Sequence, residues 1–326
     1  MHLQLSPFYF LSKQIIHQLS SGLSYLHQLG ISHRDITPSN VVIDQIGTPI
    51  WIDFGTAWSP SINQDTEKDE LEFELGTMPY RAPELLFGSR HYDPLKIDLW
   101  SFGVLISDFF CPLLEESDKK ESSNVRANWR ADNTTTTDRH EGLFSFDLND
   151  EKFNEDQDES KEGNVLDWYT KPVVNRKVFE EDLDWKLPEI EGDRFDENEN
   201  HLQRKSLFVG HLGDIGLVGS IFKVLGTPDA STWPESETLP DFSKLTFHTY
   251  SPQPLEDLLP YTKPRNGSHQ KEEKDSKLII DLISRLLVYQ STERLTIGQV
   301  LKHTWFDGLG SDYEGKSYKE WMELWK

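Results

Sequence analysis

Asp35, Asn40 five residues later and Asp53 form a closely spaced set of oxygen-bearing side chains. A carboxylate such as Asp35 can take a proton from a hydroxyl held within hydrogen-bond reach. An Asn and an Asp on neighbouring loops supply hard oxygen donors of the kind Mg²⁺ takes, alongside waters and phosphate oxygens. Each also has a bland reading, Asn40 as a loop cap and Asp53 as a turn former. The company they keep argues against it. Asp35 ends His33-Arg34-Asp35, Asp53 opens Asp53-Phe54-Gly55, and Ala82-Pro83-Glu84 follows downstream. A lone tripeptide carries little weight; four motifs in order, each in a matching context, carry a great deal.

The elements that must position these residues are legible in the periodicity. Phe8, Leu11, Ile15, Leu19, Leu23 and Leu26 recur at three- and four-residue intervals, which predicts a helix ahead of His33, ended by Gly30. Val41-Val42-Ile43 and Ile50-Trp51-Ile52 flank Asp44-Gln45-Ile46-Gly47-Thr48-Pro49 and predict a hairpin closed by Asp53-Phe54-Gly55. An irregular stretch runs from Gly55 to about Pro83. From Ile97 to Phe110 apolar residues dominate on every side, so this helix is expected to be buried all round. Residues 115–205 then turn polar and low in complexity, with small apolar islands such as Val165-Leu166-Asp167-Trp168-Tyr169. Patterning resumes at Ile215 to Leu225, in a helix at Leu278 to Leu287, and in a last helix from about Ile297 to Trp305.

In order and spacing the four motifs resemble the catalytic loop, metal-binding turn and activation-segment end of protein kinases. The resemblance covers most of residues 5–110 and 206–310. It implies a mainly α (α+β) fold, the C-terminal lobe of the kinase fold over 5–310, with a short β-hairpin at the catalytic loop. An acidic, disordered insertion at 115–205 interrupts that lobe, and a C-terminal tail follows at 311–326. ATP and Mg²⁺ are the implied cofactors. Asp35 would orient the substrate hydroxyl and accept its proton, while Asn40 and Asp53 hold the metal. Asp98 is expected to hold the catalytic-loop backbone, and Glu84 to form a buried ion pair with Arg294. His33 and Phe54 would stack in the apolar column through the core, with Gly55 completing the metal-binding turn. Thr37 and Thr77 stand where the family positions substrate and phosphate.

Tyr80-Arg81-Ala82-Pro83-Glu84, Ile221 to Pro228, Trp233-Pro234 and Leu239-Pro240-Asp241 are similar to the cyclin-dependent and mitogen-activated branch. Thr56-Ala57-Trp58, Gly76-Thr77 and Pro79-Tyr80-Arg81 look most like the fungal kinases that activate cyclin-dependent kinases. That resemblance implies a serine/threonine kinase acting on protein substrates, possible cyclin-dependent kinases among them. Position 37 departs from the pattern: Thr stands where this branch carries Lys, which removes a charge from the transition state. Glu72, flanked by Glu70 and Glu74, occupies the place of the activating phosphothreonine; it or a neighbour is expected to pair with Arg34, the other reading being a solvated acidic loop. Nothing before Phe8 matches the Gly-rich phosphate loop, the strand Lys or the helix Glu, and Gly210, Gly213 and Gly216 lie too far downstream to substitute. The chain by itself is expected to bind ATP poorly, with a gene model truncated to an internal Met as the leading explanation. The alternative is a catalytically inactive lobe that binds proteins.

Composition narrows the setting. The formal charge of −23 disfavours nucleic acid and anionic membranes as partners. Residues 115–205 hold 26 Asp/Glu against 14 Lys/Arg, so one stretch supplies about half of that acidity. Cys111 is the only cysteine, which rules out an intramolecular disulfide. No apolar run has the length of a membrane span and the N-terminus shows no secretory pattern, so an intracellular protein, nuclear or cytoplasmic, is expected.

Overall fold

Helix α1 spans Pro7–Gln28. Its innermost stripe is Ser12, Ile16, Leu19, Ser20 and Leu23, all essentially out of water. Leu11 and Ile15 fall on its flanks, half-buried. Small serines occupy the inner face because the neighbours come close: a Cβ at Gly22 would sit 3.1 Å from the Trp51 ring. The Ser20 hydroxyl satisfies itself on the Ile16 carbonyl at 2.7 Å. The helix ends at Gly30, whose φ of 70° lets the Ile31 N–H turn back to the Leu26 carbonyl.

The structure, a computed structural model, describes residues 7–44, 47–61, 70–113, 204–263 and 270–309. The expected insertion, its apolar islands and the expected tail lie outside these residues, apart from Arg204 and Lys205. All described residues belong to one compact unit.

Strands β1 (Val41–Ile43) and β2 (Pro49–Trp51) pair antiparallel, with Val41 opposite Trp51 and Ile43 opposite Pro49. Alternation decides which side chains are covered. Pro49 and Trp51 point into the core, while Ile50 points out. The Trp51 indole N–H donates to the Leu19 carbonyl at 3.1 Å, which fastens the pair to α1.

Helix α2 (Pro83–Leu86) is a single buried turn. Helix α3 (Pro94–Asp108) starts where Pro94 presets the first turn and the Asp93 carboxylate accepts the Leu95 N–H. It is buried all round by Ile97, Leu99, Trp100, Phe102, Val104, Leu105 and Ile106. Helix α4 (Gly213–Leu225) and the short α5 (Leu255–Leu258) follow. Helix α6 (Gln270–Leu286) begins before the Leu278 expected from its apolar face, because its first two turns are polar. It buries Ile279, Leu282, Ile283 and Leu286 against α3, and Gly103 makes that approach possible: a Cβ there would lie 2.8 Å from the Leu286 Cβ. Helix α7 (Ile297–Leu301) is closed by a Thr296/Gln299 capping box. It stops short of Trp305, because the His303 ring accepts the Trp305 N–H and starts a separate 3₁₀ turn. One core joins these helices, with Trp233 stacked on Tyr289 at 5.4 Å.

Leu113 and Arg204 meet in an isolated antiparallel bridge. The Lys205 N–H donates to the Pro112 carbonyl at 2.8 Å. The Arg204 guanidinium donates to the Cys111 carbonyl and lies over the Tyr261 ring at 4.3 Å.

Candidate active site

The turn that carries Asp35 is bent against local preference: Arg34 has a φ of 63°. Such a conformation costs on the order of 1–3 kcal/mol and persists only when its surroundings over-determine it. Asp98, in the first turns of α3 and fully buried, supplies the determination. Its Oδ1 accepts the Arg34 N–H at 2.8 Å and its Oδ2 accepts the His33 N–H at 2.9 Å. His27, in the last turn of α1, places Nε2 2.9 Å from the same Oδ2. Two helices therefore clamp one loop.

His33 is buried, with Nε2 on the Ile52 carbonyl at 3.0 Å and its ring 4.9 Å from that of Phe54. Phe54 nonetheless remains 46% exposed, so the apolar column is open at this end. Thr56 ties the following strand back to the loop. Its hydroxyl donates to the His33 carbonyl at 3.0 Å, and its own carbonyl accepts the Arg34 Nε–H at 2.6 Å.

Each oxygen of the Asp35 carboxylate is held separately. Asn40 Nδ2 donates to Oδ2 at 2.8 Å and to the Asp35 carbonyl at 2.9 Å. The Thr77 N–H and hydroxyl both donate to Oδ1, at 2.9 and 2.8 Å. Thr77 comes from the far end of the activation segment, so that segment is docked on the carboxylate. Asn40 has committed its amide nitrogen, which leaves its side-chain oxygen as the hard donor. Asp53 is exposed, has a φ of 61°, and uses Oδ1 to accept the Gly55 N–H at 3.2 Å. The Ile52 N–H on the Asn40 carbonyl joins the two loops at 3.0 Å. Two hard-oxygen side chains on adjoining loops fit Mg²⁺, which takes few protein ligands and keeps waters and phosphate oxygens. Among the described residues no group of three or more His, Cys, Asp or Glu stands ready for a metal with an all-protein shell.

One expected contact is not formed, and Thr37 makes a local bond instead of facing outward. Thr37 is buried and its hydroxyl meets Ser39 Oγ at 2.7 Å. Glu72 does not pair with Arg34; its carboxylate folds back to accept the Phe73 and Glu74 N–H groups, both at 3.1 Å. A short acid beside two free backbone donors satisfies them before reaching a more distant cation.

The frame behind the site is ionic and buried. Glu84 and Arg294 form a two-pronged pair at 2.6 and 2.7 Å. Asp108, at the end of α3, accepts the Tyr80 hydroxyl at 2.6 Å and that of Ser206 at 3.0 Å. Burial pushes its carboxyl up to about 6 in spite of these donors. Arg81 donates to the Gly76 carbonyl at 3.2 Å and to Asp214 on α4 at 2.8 Å. His27, and Tyr92 with its hydroxyl on the Glu72 carbonyl, are contributors that sequence reasoning passed over, while Thr56 and Arg81 stood out only as motif residues without these contacts. His27 lies one helical turn before Gly30, a spacing that could have marked it, whereas nothing local announces Tyr92.

Fold and site together have the form of a protein kinase domain. The protein kinase domain model matches residues 10–181, and the chain belongs to that family. It is 29% identical to the serine/threonine-protein kinase csk1 of Schizosaccharomyces pombe, over 76% of this chain and 52% of that protein. It is 25% identical to cyclin-dependent kinase 20 of Danio rerio, over 90% of this chain and 54% of that protein. The chain thus spans about half the length of the curated relatives it matches. A solved structure, that of the yeast RNA Pol II CTD kinase CTDK-1 complex, shares the fold with a TM-score of 0.51 and 20% identity, over 94% of this chain and 64% of that one. These relatives set the chain in the cyclin-dependent-kinase-like branch of serine/threonine kinases. Among the described residues no helix is long and apolar enough to cross a membrane.

Proposed function

We propose that this chain carries the catalytic-loop half of a serine/threonine protein kinase and moves the γ-phosphoryl group of ATP to protein hydroxyls. The observation that carries this reading is the Asp35 carboxylate, with one oxygen held by Asn40 and the other by Thr77. Held in that way, the carboxylate keeps lone pairs for an incoming hydroxyl, orients it and takes its proton. Asn40 and Asp53 would hold Mg²⁺, which when bound neutralises charge on the phosphate oxygens. Phosphoryl transfer asks for positioning and charge stabilisation more than for covalent work by the protein. The clamped loop supplies the positioning.

The adenine end of the site has a floor and needs a cover. Val42, Ile50, Ile52 and Phe54 present an exposed apolar surface beside the metal-holding residues. A nucleotide-gripping body would close over this surface, and without it the described lobe binds ATP weakly. The proposed substrates are the activation segments of cyclin-dependent kinases, a reading that rests on Thr56-Ala57-Trp58 and Pro79-Tyr80-Arg81. Thr37 in place of a lysine favours the second reading, an inactive lobe that binds proteins. Mg·ATP-dependent thermal stabilisation together with phosphate transfer to a cyclin-dependent kinase separates the two. Supplied with a nucleotide-gripping body, the wild type is expected to give both signals under the kinase reading, and Asp35→Asn to give stabilisation without transfer. Neither signal in that assembled wild type overturns it.

A further inference from the structure

Glu70, Glu72 and Glu74 make the activation segment acidic, yet among the described residues none of them forms an ion pair with Arg34. The segment is docked all the same. Tyr92, on the loop between α2 and α3, donates its hydroxyl to the Glu72 main-chain carbonyl. A carbonyl only accepts, so the Tyr92 hydroxyl is the donor of this bond. The Arg34 charge acts on the same hydroxyl and draws its pKa down against the effect of burial.

The Tyr92 ring packs against the core, so its hydroxyl has a fixed address. Burial raises its pKa and the Arg34 guanidinium opposes that shift, so the hydroxyl keeps its proton at neutral pH. The same loop holds the segment a second time. The Leu71 N–H donates to the Arg90 carbonyl at 2.8 Å, and the Arg90 guanidinium lies 4.9 Å over the Phe73 ring. Arg34 is also the residue beside Asp35, and Thr77 at the other end of the segment grips the Asp35 carboxylate. The segment is thus held at Glu72 by Tyr92 and at Thr77 by Asp35.

We propose that Tyr92 is a positioning residue, whose hydroxyl on the Glu72 carbonyl holds the activation segment in place without phosphorylation. Its consequence for transfer rests on the kinase reading; the contact itself does not. Tyr92→Phe keeps the ring and removes the hydroxyl, while Tyr92→Ala removes both. Amide hydrogen exchange of the full chain is read over residues 70–77, where the Leu71, Phe73, Glu74 and Thr77 amides are hydrogen-bonded. Tyr92→Phe is expected to speed that exchange about tenfold, the effect of losing one such bond, with an unchanged melting temperature. Tyr92→Ala is expected to lower the melting temperature as well. Phosphatase treatment of the wild type is expected to leave exchange in the segment unchanged. Where transfer is measured, Tyr92→Phe lowers kcat and leaves KM for ATP in place. Unchanged exchange in Tyr92→Phe overturns the tether, and a segment loosened by phosphatase overturns its independence from phosphorylation. A wild type with no transfer but a loosened Tyr92→Phe segment defeats the kinase reading while leaving the tether standing.

Discussion

Replacing Arg294 with methionine is expected to cost more stability than any other single change in the described lobe. The guanidinium is fully buried and gives Glu84 two bonds, at 2.6 and 2.7 Å. It also donates to the carbonyls of Val288 at 2.8 Å, Tyr289 at 3.1 Å and Lys96 at 3.1 Å, and it lies 5.1 Å from the centre of the Trp100 ring. Methionine fills part of the volume and restores none of these donors. What remains is a carboxylate with 8% side-chain exposure and no counter-charge. Breaking a buried pair from one side costs about 3–5 kcal/mol, and the three carbonyls that lose a donor push the total to the upper end. At about 2–4 °C per kcal/mol for a domain of this size, the melting temperature falls by roughly 6–20 °C. Urea unfolding followed by tryptophan fluorescence measures the cost directly. The decisive variant is the double change Glu84→Leu/Arg294→Met, which removes the orphaned carboxylate. It is expected to recover about 2 kcal/mol or more of what the two single changes lose separately. A loss below about 1 kcal/mol in Arg294→Met, or single losses that simply add, refutes the account of a coupled buried pair.

Asp108 makes stability depend on pH. Its carboxyl sits at about 6 in the fold against an ordinary 3.8, so its contribution is complete below 3.8 and lost as pH rises through 6. The gap is worth roughly 3 kcal/mol, and Asp108→Asn is expected to flatten the stability profile between these values in urea unfolding. Thr77→Val keeps the backbone donor to Asp35 and loses the hydroxyl; single-turnover transfer is expected to slow about tenfold, and Thr77→Ser to restore it. Gly103→Ala puts a Cβ 2.8 Å from that of Leu286; the α3–α6 contact is expected to lose about 1–3 kcal/mol, measured by thermal unfolding.

Much of this arrangement was legible before any coordinates. Asp35, Asn40 and Asp53 share a short stretch of chain, so their spacing already constrains where they lie. The all-round burial of α3 follows from a run with no polar face. Other features depend on contacts that leave no local trace. Apolar periodicity put Leu11 and Ile15 on the inner face of α1, but Ser12, Ser20 and Ser24 are the buried residues there, and Trp51 closes on the helix at Gly22. Thr37 turns to Ser39 because the 3₁₀ turn Pro38–Asn40 brings that hydroxyl within reach. The Tyr92–Glu72 contact joins two separate stretches of chain, and only the folded core brings them together.

The bridge between Leu113 and Arg204 has a consequence for how the chain tolerates change in length. Whatever lies between these two residues departs from and returns to a single point on the lobe, already fastened by the Lys205–Pro112 bond and by Arg204 on Tyr261. The entropy of closing such an excursion grows only with the logarithm of its length, about 0.6 kcal/mol per doubling. By that term alone, a change in the length of the connection costs the core little. The same junction is a natural place to reopen the polypeptide, with new ends placed between Leu113 and Arg204 in a circularly permuted protein. Far from interrupting the fold, the junction behaves as a hem, where cloth can be let out or taken in without disturbing the garment.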